Sequence, residues 1–450
     1  MKKKYAWETL LNWRLSPYQI LVAGFAGLIL AGALLLTTPW ASQSGDGTCF
    51  LDALFTATSA VCVTGLVVLD TGTHYSLFGQ LVIIALIQFG GLGVMTISTL
   101  LAVMLGKKIC LRERLLIQEA TNQPELSGVV RLVLYIVKVT LLVEFIGGTI
   151  LAVRWYLDYG AMGIYYGYWH GVSAFCNAGF DLFGGFVSLT KYVDDVTVVL
   201  TIAGLIIVGG IGFTVIADVW NHRSFDRLAL HSKLAITVSA LLIITGTIVI
   251  IAFESVDKAV LNELSPYAKL LAGFFQSVTA RTAGFNSVDI GSLREGTLLV
   301  IILLMYIGAS PSSTGGGIKT TTAGVIAMAV YSFILGKKDT EVFHRQISNS
   351  AVAKAVAVAV VSAGLIVVVT LAMTFTEQVP LLNILFEVTS AFGTVGLSTG
   401  ITPGLSPTGK SLIILTMFAG RVGTLTLVLS LALAKRNGAI HYPEGKVIIG

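Results

Sequence analysis

Charge is what this sequence is short of. Only 12% of its 450 residues are Asp, Glu, Lys or Arg, while 55% are apolar; an average soluble domain carries roughly 25% charged residues. So little polar surface cannot cover a set of soluble domains, and so apolar a chain cannot stay disordered. The composition is that of an integral membrane protein. Cysteine is scarce as well: Cys49, Cys62, Cys110 and Cys176 are scattered, with no CxxC pair, which excludes a disulfide framework and a zinc site. The six histidines do not cluster, and no Ser/His/Asp or paired-acid arrangement stands out. An enzyme reading therefore has no site to stand on. Nor is there a nucleotide-binding motif. The start is basic (Lys2, Lys3, Lys4), but a long apolar run follows from Tyr18 without a small-residue cleavage site, so no removable signal peptide is expected. Glycine is in excess, 48 residues or about one in nine, against a usual ~7%. In apolar sequence that argues for close helix packing, or for backbone used outside helices.

A helix needs about 20 apolar residues to cross a bilayer. Uncharged runs at 15–45, 71–106, 196–217, 234–253 and 355–376 qualify directly. Runs from 296 to 336 and from 411 to 434 carry one internal cation each, Lys319 and Arg421; the run 132–153 holds Lys138 and Glu144. That makes eight expected spans, with both termini on one side. Nineteen of the 29 Lys and Arg fall in the N-terminus, the loops 107–131, 223–233 and 337–354, and the C-terminal tail; six fall in the opposite segments. The positive-inside rule makes both termini cytoplasmic. The net charge of +5 then needs no nucleic acid to explain it.

The outer connections are anomalous. Segments 50–61, 165–175, 267–280 and 381–392 are apolar at helical spacing and about 11–14 residues long, too short to span and too apolar for loops. Re-entrant segments have this length. Each ends in one kind of tetrapeptide: Cys62, Val63, Thr64, Gly65; Cys176, Asn177, Ala178, Gly179; Arg281, Thr282, Ala283, Gly284; and Gly393, Thr394, Val395, Gly396. The final glycines are 114, 105 and 112 residues apart. Small residues precede all four: Thr58, Ser59, Ala60; Val172, Ser173, Ala174; Val278, Thr279, Ala280; and Thr389, Ser390, Ala391. Such a period implies an internal repeat, divided as 1–106, 107–221, 222–336 and 337–450. Non-helical backbone at membrane depth must be buried in protein or line water. Four such strands about a pseudo-fourfold axis would present rings of carbonyl oxygens able to replace the hydration shell of a monovalent cation. The alternative is four loop-capping glycines, which does not call for the apolar approach helices.

These motifs resemble the Trk/Ktr/HKT potassium transporters, over essentially the whole chain. The first span leads straight into the first pore segment, and the tail 441–450 is short; both resemble the Ktr branch, and the membrane-embedded component of that bacterial uptake system in particular. The resemblance implies an all-α polytopic membrane protein of four covalently linked membrane–pore–membrane repeats around a pseudo-fourfold axis, related to potassium-channel subunits. It implies K⁺ uptake, with Na⁺ as modulator or permeant, K⁺ held at the carbonyls around Gly65, Gly179, Gly284 and Gly396, and no covalent cofactor. It further implies a homodimer in the cell membrane seated on a cytosolic nucleotide-binding regulatory ring, so that any nucleotide sits on the partner. One departure from channels stands out. Leu66, Phe180, Phe285 and Leu397 follow the four glycines, where a channel filter has a second glycine two residues on. A shorter, less strict filter is expected.

The second spans carry glycine clusters at 90–93, 209–212, 315–317 and 420–423. Tight helix packing explains the first two. The third belongs to a run of small and helix-breaking residues, Gly308, Ala309, Ser310, Pro311, Ser312, Ser313, Thr314, Gly315, Gly316 and Gly317. It should break the span in mid-membrane and line the path below the filter. The family's intramembrane gating loop matches this stretch; the plain alternative is a kinked structural helix. Arg421, in mid-span, reads either as an electrostatic barrier near that loop or as the partner of Glu144 or Asp218 in an ion pair. Lys319 is a second barrier candidate, or snorkels to the cytoplasmic surface. Arg281 should point behind the filter, to an acid such as Glu387 or to a carbonyl. Asp181 and Asp289 belong to an outer surface with thirteen acids against six bases. That surface either concentrates cations or is simply solvated. Loop 107–131, with Lys107, Lys108, Arg112 and Arg114, carries positive-inside charge or docks the ring. The competing functions are a cation symporter or small-solute carrier with broken helices, and a structural scaffold that leaves the four motifs unexplained.

Overall fold

The computed structural model describes residues 17–93, 96, 100, 129–256 and 259–423. The basic N-terminus, Lys107, Lys108, Cys110, Arg112, Arg114 and the tail 441–450 lie outside the described residues. The chain is helical, and one arrangement recurs four times: a long apolar helix, a short buried one, then a second apolar one. The first set is α1 (Pro17–Leu36), α2 (Phe50–Cys62) and α3 (Leu77–Leu92). The second is α4 (Val129–Tyr159), α5 (Ala161–Phe175) and α6 (Val196–Ile211), continued by α7 (Phe213–His222). The third is α8 (Leu230–Glu254), α9 (Pro266–Thr279) and α10 (Glu295–Tyr306), continued by α11 (Thr320–Ile334). The fourth is α12 (Asn349–Thr374), α13 (Leu381–Gly393) and α14 (Pro407–Val422). A small antiparallel hairpin joins the third set to the fourth: β1 (Thr340–Val342) pairs with β2 (Arg345–Ile347), and Val342 and Ile347 pack on Leu234.

Local chemistry sets the helix starts. Ser76, Asp195, Ser265, Ser348 and Ser406 accept the N–H three residues on and so cap α3, α6, α9, α12 and α14. Pro266 and Pro407 occupy first helical positions, where the missing N–H costs nothing. The burial pattern inverts that of a soluble protein. Phe145, Val153, Leu241, Ile248, Val360 and Val368 on the long helices are exposed, whereas Ser59, Ser173, Gln276, Ser277 and Glu387 on the short helices are buried. Apolar residues outside and polar residues within suit a hydrocarbon surround rather than water.

The sets close into a ring. The second helix of each packs on the short helix of the next: α3 on α5, α6 on α9, α10 on α13, and α14 back on α2. Lys410 of α14 meets Asp52 of α2 at 2.6 Å across the closing seam.

The second helices differ from the expected eight long spans. Among the described residues, four helices (the first of each set) are long and apolar enough to cross a membrane, or five if the bent pair α6–α7 counts as one. Three of the second helices break at a glycine, and beyond Gly93 and Gly423 the expected runs 71–106 and 411–434 leave the described residues, apart from 96 and 100. Gly93, Gly212 and Gly423 end α3, α6 and α14 with φ of +85°, +99° and +91°, where side-chain-bearing residues are strained. At Gly212 the chain turns by 93°. The clusters also pack, as expected. A Cβ on Gly90, Gly209 or Gly420 would collide with the carbonyl oxygen of Val61, Phe175 or Phe392, at the end of its own set's short helix. The second helices α3, α6 and α14 thus touch backbone with backbone. Overpacking such a site costs about 1–3 kcal/mol. Gly209→Ala and Gly420→Ala should therefore each lower the thermal unfolding midpoint of the purified protein; an unchanged midpoint in both would refute the close-contact account.

Candidate ion-conduction site

The four short helices point their C-terminal ends inward, and the chain then turns sharply. Val63, Asn177, Thr282 and Thr394 have φ of +56°, +59°, +71° and +51°, and two residues later Gly65, Gly179, Gly284 and Gly396 have +93°, +71°, +81° and +91°. The glycines meet in cyclic order. A Cβ on Gly65 would stand 2.5 Å from the Ala178 carbonyl oxygen, one on Gly179 2.7 Å from that of Ala283, and one on Gly284 2.5 Å from that of Val395. A Cβ on Gly396 would collide with the Thr64 carbonyl oxygen, which closes the ring. Residues more than 300 apart in sequence thus share one constriction walled by backbone. Any side chain larger than hydrogen would fill it.

The small residues before each turn hold it in place. Ser59 and Ser390 hydroxyls accept the N–H of Gly65 and Gly396 at 3.1 Å each. Ser173 and Thr279 hydroxyls donate to the Phe180 and Phe285 carbonyls at 2.8 and 2.6 Å. Sequence reasoning passed over these four hydroxyls, although they stood in the tripeptides that made the repeat visible. Leu66, Phe180, Phe285 and Leu397 are all buried. Cys62 and Cys176 are buried at the ends of α2 and α5. The Asn177 amide and the Thr282 hydroxyl meet at 3.1 Å and join the second strand to the third.

Directly beneath the ring lies the break between α10 and α11. Ile307 and Ile318 bridge in parallel, so Gly308–Gly317 forms a closed loop between them. Its backbone is satisfied by the neighbouring sets. Ser310 N–H donates to Gly210 O at 3.0 Å, Thr314 N–H to Gly209 O at 3.2 Å, and Phe213 N–H to Ser312 O at 2.8 Å. The Thr314 hydroxyl reaches Phe175 O at 3.3 Å, and Gly316 N–H reaches the Thr394 hydroxyl at 3.1 Å. Pro311 and Ser313 complete the turn, with the Ser313 hydroxyl on Ser310 O at 2.6 Å. A Cβ on Gly315 would press on Ala309 at 2.6 Å, and one on Gly317 would lie 3.2 Å from Gly393 Cα. The loop therefore abuts the constriction from below.

Two cations are folded into this loop. Lys319 Nζ donates to Gly315 O at 2.8 Å, so it turns back into the loop rather than snorkelling to the surface. Arg421 donates to Thr314 O, to Gly90 O, and to Gly91 O at 3.4 Å. It ties the loop to the first set through carbonyls alone. The alternative for Arg421, an ion pair with Glu144 or Asp218, is not formed. Glu144 takes bonds from Gln88 at 3.3 Å and from the Cys176 thiol at 3.8 Å. Asp218 takes His222 at 2.8 Å and the Ala229 N–H at 2.9 Å. Arg281 does point behind the ring, but to Ser239 on α8: its guanidinium donates to the Ser239 hydroxyl at 3.0 Å and carbonyl at 3.4 Å. It does not reach Glu387, whose oxygens accept from Ser398 and Thr402.

Above the ring opens a vestibule of about 210 Å³, lined by the four glycines together with Asp70, Asp181, Asp289, Ser188, Asn286 and Ser398. Asp70 accepts from Thr73 and, at 2.9 Å, from the N–H of Phe186, so it fastens two outer segments to each other. Burial, with help from the Asp70 carboxylate, pushes the Asp181 carboxyl up to about 7, against the pull of the Phe183 N–H.

A ring of helix–turn units of this kind defines a multi-pass, all-α membrane protein with a backbone-walled central constriction. Residues 7–440 match the TrkH family of cation transport proteins, and the chain belongs to that family. It is 46% identical to the Ktr system potassium uptake protein B of Bacillus subtilis (strain 168), over 98% of this chain and 99% of that one. It is 43% identical to the potassium/sodium uptake protein NtpJ of Enterococcus hirae, over 97% and 98%. In structure it is similar to the potassium transporter TrkH from Vibrio parahaemolyticus, with a TM-score of 0.70 over 94% of this chain and 86% of that one. At 18% identity that is a likeness of fold.

The vestibule has a pH signature. The Asp181 charge is present above about pH 7 and is lost as the pH falls below it. The apparent KM for ⁸⁶Rb⁺ should rise on going from about pH 8 to about pH 6, and Asp181→Asn should hold it near its low-pH level throughout. An equal pH step in wild type and variant would refute the assignment.

Proposed function

We propose that the chain takes up K⁺ through a central pore whose selectivity filter is the four-glycine ring. The observation that carries this reading is the cyclic approach of Gly65, Gly179, Gly284 and Gly396 to the carbonyls of Thr64, Ala178, Ala283 and Val395. Backbone oxygens held at such a constriction are the ligands that replace a monovalent cation's water, and the inward C-terminal helix ends favour positive charge. The names of the Bacillus subtilis and Enterococcus hirae relatives, potassium and potassium/sodium uptake proteins, support the substrate. The departure at Leu66, Phe180, Phe285 and Leu397, all buried, leaves few oxygen layers and suits a filter that is not strictly closed to Na⁺. A reaction site is no part of the proposal, and neither is a bound cofactor.

The loop Gly308–Gly317 is the gate in this reading, and Lys319 and Arg421 are its electrostatic barrier. Arg421 holds the loop to α3 through Thr314 and Gly90, so loop movement must break those bonds. The positive-inside distribution makes the loop side and both termini cytoplasmic and the vestibule side extracellular. In this reading the four repeats divide at 106, 221 and 336. The Ktr names of the relatives support assembly with other Ktr components; a homodimer on a cytosolic nucleotide-binding regulatory ring is the proposed form. The name of the Enterococcus hirae relative also keeps a second reading in play, K⁺–Na⁺ coupled transport; it requires ⁸⁶Rb⁺ uptake to depend on a Na⁺ gradient.

Uptake of ⁸⁶Rb⁺ into proteoliposomes tests both parts. Gly65→Ser and Gly396→Ser put a side chain where a carbonyl stands, and each should reduce uptake more than ~10-fold; uptake equal to wild type in both defeats the filter. Arg421→Ala should raise flux several-fold, and unchanged flux in a folded variant defeats the barrier.

A further inference from the structure

Each short helix carries a second polar residue one turn before the Ser or Thr that holds its glycine turn. Thr56, His170, Gln276 and Glu387 stand three positions before Ser59, Ser173, Thr279 and Ser390. Residues three apart share a helix face, so each short helix shows two polar groups to the strand that doubles back along it. All four of the earlier residues are fully buried. Each bonds to the exit leg of its own repeat. Leu182 N–H donates to His170 Nε2 at 3.2 Å, Gln276 Nε2 donates to the Ser287 hydroxyl at 3.5 Å, and the Ser398 hydroxyl donates to Glu387 Oε2 at 2.9 Å. The Thr402 hydroxyl donates to Glu387 Oε1. In the first repeat the Tyr75 hydroxyl donates to Thr56 Oγ1 at 3.1 Å.

We propose that Thr56, His170, Gln276 and Glu387 are positioning residues of the glycine ring: they latch each exit leg to the helix behind it, and thereby set the aperture and the preference between K⁺ and Na⁺. The proposal rests on the filter reading above. Position, burial and target are shared, while the side chains differ in every respect except the ability to bond. Apolar packing alone would be served better by Leu or Phe, since buried polar groups are as a rule paired; among the four residues Gln276 Oε1 is the one side-chain atom left without a partner.

The bonds are specific as well. His170 Nδ1 lies 2.7 Å from Tyr166 O and Nε2 accepts from Leu182. The ring is thus the neutral tautomer with its proton on Nδ1, stacked on Phe183 at 4.7 Å. Both Glu387 oxygens are taken up by hydroxyls of one leg. The latches land two or three residues beyond the glycine in repeats two to four (Leu182, Ser287, Ser398) but ten beyond it in repeat one (Tyr75). A short lever passes a displacement directly to the carbonyls, so Glu387 matters more than Thr56.

The test is ⁸⁶Rb⁺ uptake into proteoliposomes by the full chain, with Na⁺ as competitor. Glu387→Leu, which removes both acceptors, should lower the Rb⁺/Na⁺ preference by about tenfold, the effect of roughly one buried hydrogen bond. Glu387→Gln, which keeps shape and one acceptor, should restore most of it, and Thr56→Val should change it least. A preference within twofold of wild type in folded Glu387→Leu overturns the proposal. Should that variant fail to fold, Glu387→Gln and Gln276→Leu decide, and an unchanged preference in both overturns it. The glycine variants separate the two readings. If Gly65→Ser and Gly396→Ser retain uptake, the filter itself is wrong. If they abolish uptake while the latch variants keep their preference, the latch alone is wrong.

Discussion

A peptide group within hydrocarbon must find its hydrogen-bond partner inside the protein, and the specific features of this molecule follow from meeting that demand where the backbone leaves the helix. Besides the helix ends at Gly93, Gly212 and Gly423, it does so at four glycine turns and in one loop. Each turn is served by a hydroxyl of its own short helix, Ser59, Ser173, Thr279 or Ser390. The loop is served from other repeats, by Gly209, Gly210 and Thr394. At the ring the turns set the carbonyls of Thr64, Ala178, Ala283 and Val395 against the glycines of the neighbouring repeats.

The repeats are alike around the ring and unlike below it. The interlocking of each second helix with the next short helix, closed by Lys410 on Asp52, makes the constriction nearly fourfold. The underside has no such symmetry. Among the described residues only the third repeat supplies a loop, and the second bends at Gly212 to seat Pro311 and Ser312. Arg421 from the fourth repeat and Lys319 from the third are spent on loop carbonyls. An arginine at such depth is costly. It is bonded to carbonyls rather than to a carboxylate, directly beneath the constriction.

Much of this was legible in the chain. The four short helices were marked by apolar spacing and a terminal glycine; for the fourth, the expected 381–392 compares with Leu381–Gly393 in the structure. The broken third span was legible too, because Pro311 and three successive glycines cannot continue a helix. The early ends of α3, α6 and α14 were not. A glycine in a packed helix and a glycine at φ near +90° look the same in sequence, and at Gly90 and Gly93 the two roles sit three residues apart. The partners of the buried charges were legible only in kind. An acid such as Glu387 or a carbonyl was expected for Arg281; it took the Ser239 carbonyl and hydroxyl, and Glu387 took two hydroxyls of its own repeat.

The sequence by itself determined that the chain lives in a membrane, that it repeats four times, and that its backbone must leave the helix at the four glycine turns and in the 308–317 run. Those are local matters of hydropathy, period and glycine placement. Only the tertiary structure decided who meets whom: Thr64 beside Gly396, Arg421 on Gly90 and Thr314, Ser239 on Arg281. Those pairings join segments from 42 to more than 300 residues apart, and a buried polar group accepts whichever partner the packing of the repeats brings within reach.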